Sequence, residues 1–240
     1  MEEYLPAVEN FTLNKLIPAL SRGNSLSDKK KEELAHQMSI YTGISEKVYI
    51  QHNLDLPTSY FWKELLRDSI GMTIGRLDSR YLGIDKREAG SYPEYSPELT
   101  SWLHSFTPAI NSYLKEDLGY KTDLKYNMFG DVYPWDKTKN NTRNQLRRAM
   151  AQNPHLNVMY QTGYFDGATT YFNSKYSMWQ LDPSGKMTDR ISFHAYESGH
   201  MMYLRKQDLE LASKDLRSFI LKNANPNQSA TYREDLKSKE

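Results

Sequence analysis

HLNVMYQTGYFDGATT, residues 155–170, and RISFHAYESGHMMY, residues 190–203, decide how this 240-residue chain is read. Each opens with a short run rich in β-branched and aromatic residues and ends in glycine-containing turn sequence, the pattern of a strand entering a loop. Helix-like stretches flank them: TRNQLRRAMAQN (142–153) before, YFNSKYSMWQL (171–181) between, and QDLELASKDLRSFILKNA (207–224) after. Helix, strand, helix, strand, helix implies two parallel strands in a layered α/β sheet. Two strands alone make a poor parallel sheet, since such sheets need several partners and helices on their faces. This segment therefore reads as the C-terminal edge of a larger sheet.

Upstream the character changes. In AVENFTLNKLIPAL (7–20) the apolar residues Val8, Phe11, Leu16 and Leu20 recur at helical spacing. SDKKKEELAHQMSIYTG (27–43) predicts a second helix, with Ser27 as its N-cap and Gly43 as its stop. Pro57 is placed to open a third, and the pattern from Ser96 to Gly119 predicts a long one containing Pro108. The Gly-, Pro- and Tyr-rich stretch 71–98 reads as an extended loop or short hairpin, and 126–142 as an irregular connection. The organisation expected is a mostly helical region over 1–140, an α/β segment over 141–222 and a polar tail over 223–240.

The overall composition excludes several functions. Lys and Arg number 31 against 30 Asp and Glu, so no basic excess points to nucleic acid. With 0 cysteines there is no disulfide, zinc-thiolate site or thiol nucleophile. No apolar run approaches the ~18 residues of a membrane span, and MEEYLPAVENF lacks the apolar core of a signal peptide.

In open α/β sheets chemistry gathers where strands end at their C-terminal side. Asp166 follows the first run and His200 the second, 34 residues later. Adjacent parallel strands would bring both to one sheet edge, as the orienting acid and the base of a nucleophile–His–Asp triad. The order acid then histidine is the α/β-hydrolase order. Plainer readings compete: an aspartate at such a turn is often a helix cap, and a histidine after a strand is often structural. A metal site is disfavoured, because His194 and His200 are six apart where one helix face needs four. No serine lies in a G-x-S-x-G frame. Ser198, with Tyr196 two before it and His200 two after, fails that frame and follows the acid.

The stretches YTGISEKVYIQHNL, FWKELLRDSIGMTIGRLDSRYLG, SFTPAINSYLKEDLGY, YPWD, LRRAMAQNPHLNVMYQTGYFDGATTYFN and ISFHAYESGHMMYL together resemble the serine carboxypeptidase family, its bacterial branch in particular, over residues 4–222. The resemblance implies the C-terminal part of an α/β-hydrolase fold with a large helical cap insertion. It implies removal of single residues from the free C-terminus of peptides by serine acyl transfer, with no cofactor. Asp166 falls on the family's catalytic aspartate and His200 on its catalytic histidine. Met201 falls on the methionine that lines the pocket for the departing residue. Family members are typically secreted, periplasmic, vacuolar or lysosomal. The family's G-E-S-Y-G elbow and its oxyanion donors are not found in these 240 residues. The expectation is thus a fragment, inactive alone, whose partners are peptide substrates and either an N-terminal half or a second copy of the chain. The alternative is a non-catalytic binding protein built from the cap and sheet edge.

Overall fold

The computed structural model describes residues 4–124, 126–131, 133–136 and 142–224. The chain folds as two compact units that divide between Leu99 and Thr100. The alternation of helices and strands begins further on, with the helix that starts at Arg143. From residue 225 the polar tail lies outside the described residues, as does part of the connection 126–142.

The first unit is mostly helical. Helix α1 (Tyr4–Phe11) runs through a π-turn (Thr12–Leu16) into α2 (Ile17–Leu20). The cause is Pro18 at the start of α2: it has no N–H to give, and the Ile17 amide instead reaches back to the Thr12 carbonyl. Helix α3 (Asp28–Thr42) begins where Ser27 accepts from the Lys30 amide. It ends at Gly43, whose φ of 82° only glycine adopts without strain. With α4 (Glu46–Gln51) it buries Leu34, Ala35, Val48 and Tyr49 in a core shared with Phe11 and Leu54. Helices α5 (Thr58–Glu64), opened by Pro57, and α6 (Arg67–Ile70) lead into a hairpin of β1 (Thr73–Ile74) and β2 (Leu82–Gly83). The hairpin is antiparallel, Thr73 facing Gly83. Lys63 forms a buried ion pair with Asp85, fixing α5 to the chain after β2.

Glu98, the first residue of α7 (Glu98–Ser112), is fully buried against the turn of this hairpin. Its Oε1 accepts from the Leu77 amide at 2.8 Å, while Oε2 has no partner among the described residues. Burial pushes its carboxyl above the usual range, Asp78 adds to the rise, and the Leu77 amide and Arg76 oppose it. A carboxyl raised on folding favours the neutral form. Its contribution is therefore full below the unfolded pKa and is lost as pH rises through the folded value. Denaturant melts of wild type and Glu98→Gln should diverge with pH, wild type losing stability relative to the variant as the medium goes from acid to neutral. Parallel pH profiles would show that the Glu98 carboxyl is not raised on folding.

In the second unit α7 passes through Pro108 to Ser112, followed by a π-turn (Tyr113–Asp117) that ends before Gly119. Helix α8 (Arg143–Gln152) leads to β3 (Val158–Gly163), α9 (Tyr171–Trp179), β4 (Ile191–Tyr196) and α10 (Lys206–Asn223). The strands pair in parallel, in register from Val158↔Ile191 to Gly163↔Tyr196. A small core of Met150, Leu181 and Met187 sits at the entry to the strands, with Val158 and Ile191 packed on it. Arg190 pins the start of β4 to the end of α8, donating to the carbonyls of Met150, Asn153 and Pro154 at 3.0–3.1 Å. This is a mixed helix-and-sheet protein, with two-stranded sheets among its described residues.

Candidate active site

Both strands of the β3–β4 pair end together, and the chain beyond each continues the pairing. Past Gly163 the Tyr164 amide donates to the Tyr196 carbonyl and the Phe165 amide to the Ser198 carbonyl, each at 2.9 Å. The two backbones come very close here. A Cβ on Gly163 would lie 2.2 Å from the Ser198 carbonyl oxygen and 2.3 Å from that of Gly199. Only a residue without a side chain fits.

This contact delivers Asp166 and His200 to each other. Asp166 is buried, its side chain 5% exposed. Its Oδ1 accepts from the amides of Ala168 and Thr169 at 2.8 and 2.9 Å, a local turn that fixes the carboxylate on its own loop. Oδ2 is left to accept from His200 Nδ1 at 2.8 Å. A carboxylate can only accept, so Nδ1 carries the proton and Nε2 is the basic nitrogen. Among the described residues Nε2 has no hydrogen-bond partner, and the imidazole is 47% exposed. Asp166 is not the cap of α9, whose N-cap is Thr170: one oxygen of its carboxylate closes a local turn and the other meets His200. A histidine held in this way can take a proton from a group placed on its open side.

Met201, the third residue singled out in sequence, is half-buried and follows His200 directly. Its carbonyl accepts from the Leu204 amide at 3.1 Å, starting the short turn Met202–Leu204. Ser198 is 1% exposed, and its hydroxyl is buried with no partner among the described residues. A hydroxyl sealed from solvent cannot meet an external substrate, in keeping with its failure to match a nucleophile frame. His194, the other histidine of the HAYESGH stretch, pairs instead with Asp215 of α10 at 3.1 Å. Asp215 also accepts from the Tyr196 hydroxyl at 2.8 Å, and Gln161 donates to that hydroxyl at 2.9 Å. Burial and the Asp215 carboxylate push the Tyr196 phenol up to about 12, so it stays a donor and ties β3, β4 and α10 together. Among the described residues no group of His, Asp and Glu could hold a metal ion, and no helix is long and apolar enough to cross a membrane.

Sequence reading found the pair but missed what sets it. Gly163 closes the first strand pattern, and a glycine in that place is the signal of close backbone approach. The Asp166-Gly167-Ala168 sequence likewise signals the turn that occupies Oδ1.

No family model, curated protein or solved structure matches this chain.

Gly163→Ala should force the two loops apart. Overpacking of this kind costs about 1–3 kcal/mol, so the melting temperature should fall by roughly 2–12 °C. A variant that melts like wild type would mean that the close approach of Gly163 to Ser198 and Gly199 is absent in solution.

Proposed function

We propose that this chain carries the acid–base half of a serine-type carboxypeptidase, with the α/β-hydrolase arrangement of that family. The nucleophilic serine would come from polypeptide outside these 240 residues. The observation that carries the reading is the Asp166 Oδ2–His200 Nδ1 hydrogen bond of 2.8 Å, made beyond the C-terminal ends of two adjacent parallel strands. The likeness of the flanking stretches to the serine carboxypeptidases supports it and supplies the substrate class, peptides with a free C-terminus.

In this reading His200 Nε2 takes the proton of the serine as it attacks the last peptide bond, then gives it to the leaving amino acid. Water repeats the exchange to release the acyl group. Asp166 holds the imidazole in one tautomer and stabilises its protonated form. Met201, beside His200, lines the site for the departing residue. Without a serine His200 has nothing to activate, so the chain alone is inactive. The runner-up, a binding protein that keeps the same architecture, predicts no activity under any reconstitution.

The test is release of the C-terminal amino acid from a short peptide, followed by mass spectrometry. It is run with the chain alone and with the chain co-expressed with the polypeptide encoded upstream of Met1. The expected result is release only from the pair, abolished by His200→Ala and reduced on the order of 10⁴-fold by Asp166→Asn. Release that survives His200→Ala, or none from the pair although it contains a G-x-S-x-G segment and is folded, would overturn the reading.

A further inference from the structure

The loop between β4 and α10 runs from Glu197 to Arg205 and carries His200 and Met201 near its middle. Its two ends are joined by one side chain. Arg205, the N-cap residue of α10, donates from one terminal nitrogen to Asp208 Oδ1 at 2.8 Å. Its other terminal nitrogen lies 3.2 Å from Glu197 Oε2, across the mouth of the loop.

The two arms differ in kind. Asp208, in the first turn of α10, has a side chain only 1% exposed, and its Oδ2 has no partner among the described residues. A carboxylate taken that far from water needs a cation against it, so Arg205 is committed to Asp208. Glu197 is 57% exposed, and a pair so open to solvent contributes little stability alone. With the guanidinium already held by Asp208, however, its planar fork is preset and the second arm costs little further order. The result is a loop whose ends are tied. One limb is also held at Ser198 by the Phe165 amide. The limb from His200 to Arg205 makes a turn onto itself, from the Leu204 amide to the Met201 carbonyl.

We propose that Arg205 is a positioning residue for His200. By tying Glu197 to Asp208 it fixes the loop so that Nδ1 stays on Asp166 and Nε2 keeps a constant direction. Small displacements of a base relative to its reacting partner cost rate steeply. The catalytic meaning of this role rests on the acid–base reading above; the geometric claim does not.

The test is nuclear magnetic resonance of the full chain, following exchange of the His200 Nδ1 proton with water. Asp166→Asn marks the signal of the lost bond. Glu197→Gln cuts only the exposed arm, and Arg205→Lys keeps the charge while removing the fork. Each should speed exchange of this proton several-fold while leaving the melting transition and helical signal unchanged, a pattern that a merely structural ion pair would not give. Arg205→Met, which strands Asp208, should do the same with a loss of stability. Exchange unchanged in both Glu197→Gln and Arg205→Lys would overturn the proposal. If the proton responds as expected but the reconstituted pair hydrolyses no peptide, the clamp stands and the peptidase reading falls.

Discussion

The contact between Gly163 and the carbonyls of Ser198 and Gly199 is the constraint on which the candidate site depends. Parallel pairing in register brings the ends of β3 and β4 level, but level ends alone leave two loops free to diverge. The absent side chain at Gly163 lets the second backbone close over the first, and the Tyr164 and Phe165 amides then carry hydrogen bonding past the strands. Asp166 and His200 meet because their loops are already joined by backbone. Their own hydrogen bond completes a geometry set by the chain around it.

The rest of the second unit serves that pairing from both ends. Arg190 and the Met150–Leu181–Met187 core fix where the strands begin. Gln161, Tyr196, His194 and Asp215 fix β4 against α10 at mid-strand. The Tyr196 hydroxyl accepts from Gln161 and donates to Asp215, which also pairs with His194, so one set of polar contacts spans β3, β4 and α10. The first unit is built on its own apolar core, and burial pushes the carboxyl of its Glu98 above the usual range.

Much of this was legible in the sequence, for local reasons. Ser27 and Gly43 bound α3 because a hydroxyl can cap an amide and a glycine can turn left-handed. The two strands, at Val158–Gly163 and Ile191–Tyr196, fall within the runs read at 155–163 and 190–196, and their parallel pairing follows from the helix between them. Asp166 and His200 followed from the strand ends. What could not be read was contact between residues far apart in the chain. Nothing in the sequence says that Asp215 holds His194, or that Arg190 reaches the carbonyls of Met150 and Asn153. Ser198 illustrates the converse: its neighbours argued against a nucleophile, and burial gives the physical reason. The expected border at 140/141 rests on periodicity, which reports local conformation and not which helices share a core; compactness divides the chain at Leu99.

The central claim is that His200 and Asp166 form an acid–base pair whose serine lies outside these 240 residues. Labelling with a fluorophosphonate, which reacts with serines activated by a neighbouring base, tests it most directly when read by intact mass. The account predicts no label on the chain alone, and label on the serine of an upstream polypeptide co-expressed with it, lost in His200→Ala. Label on a serine within the chain itself, Ser198 being the first to inspect, would contradict it.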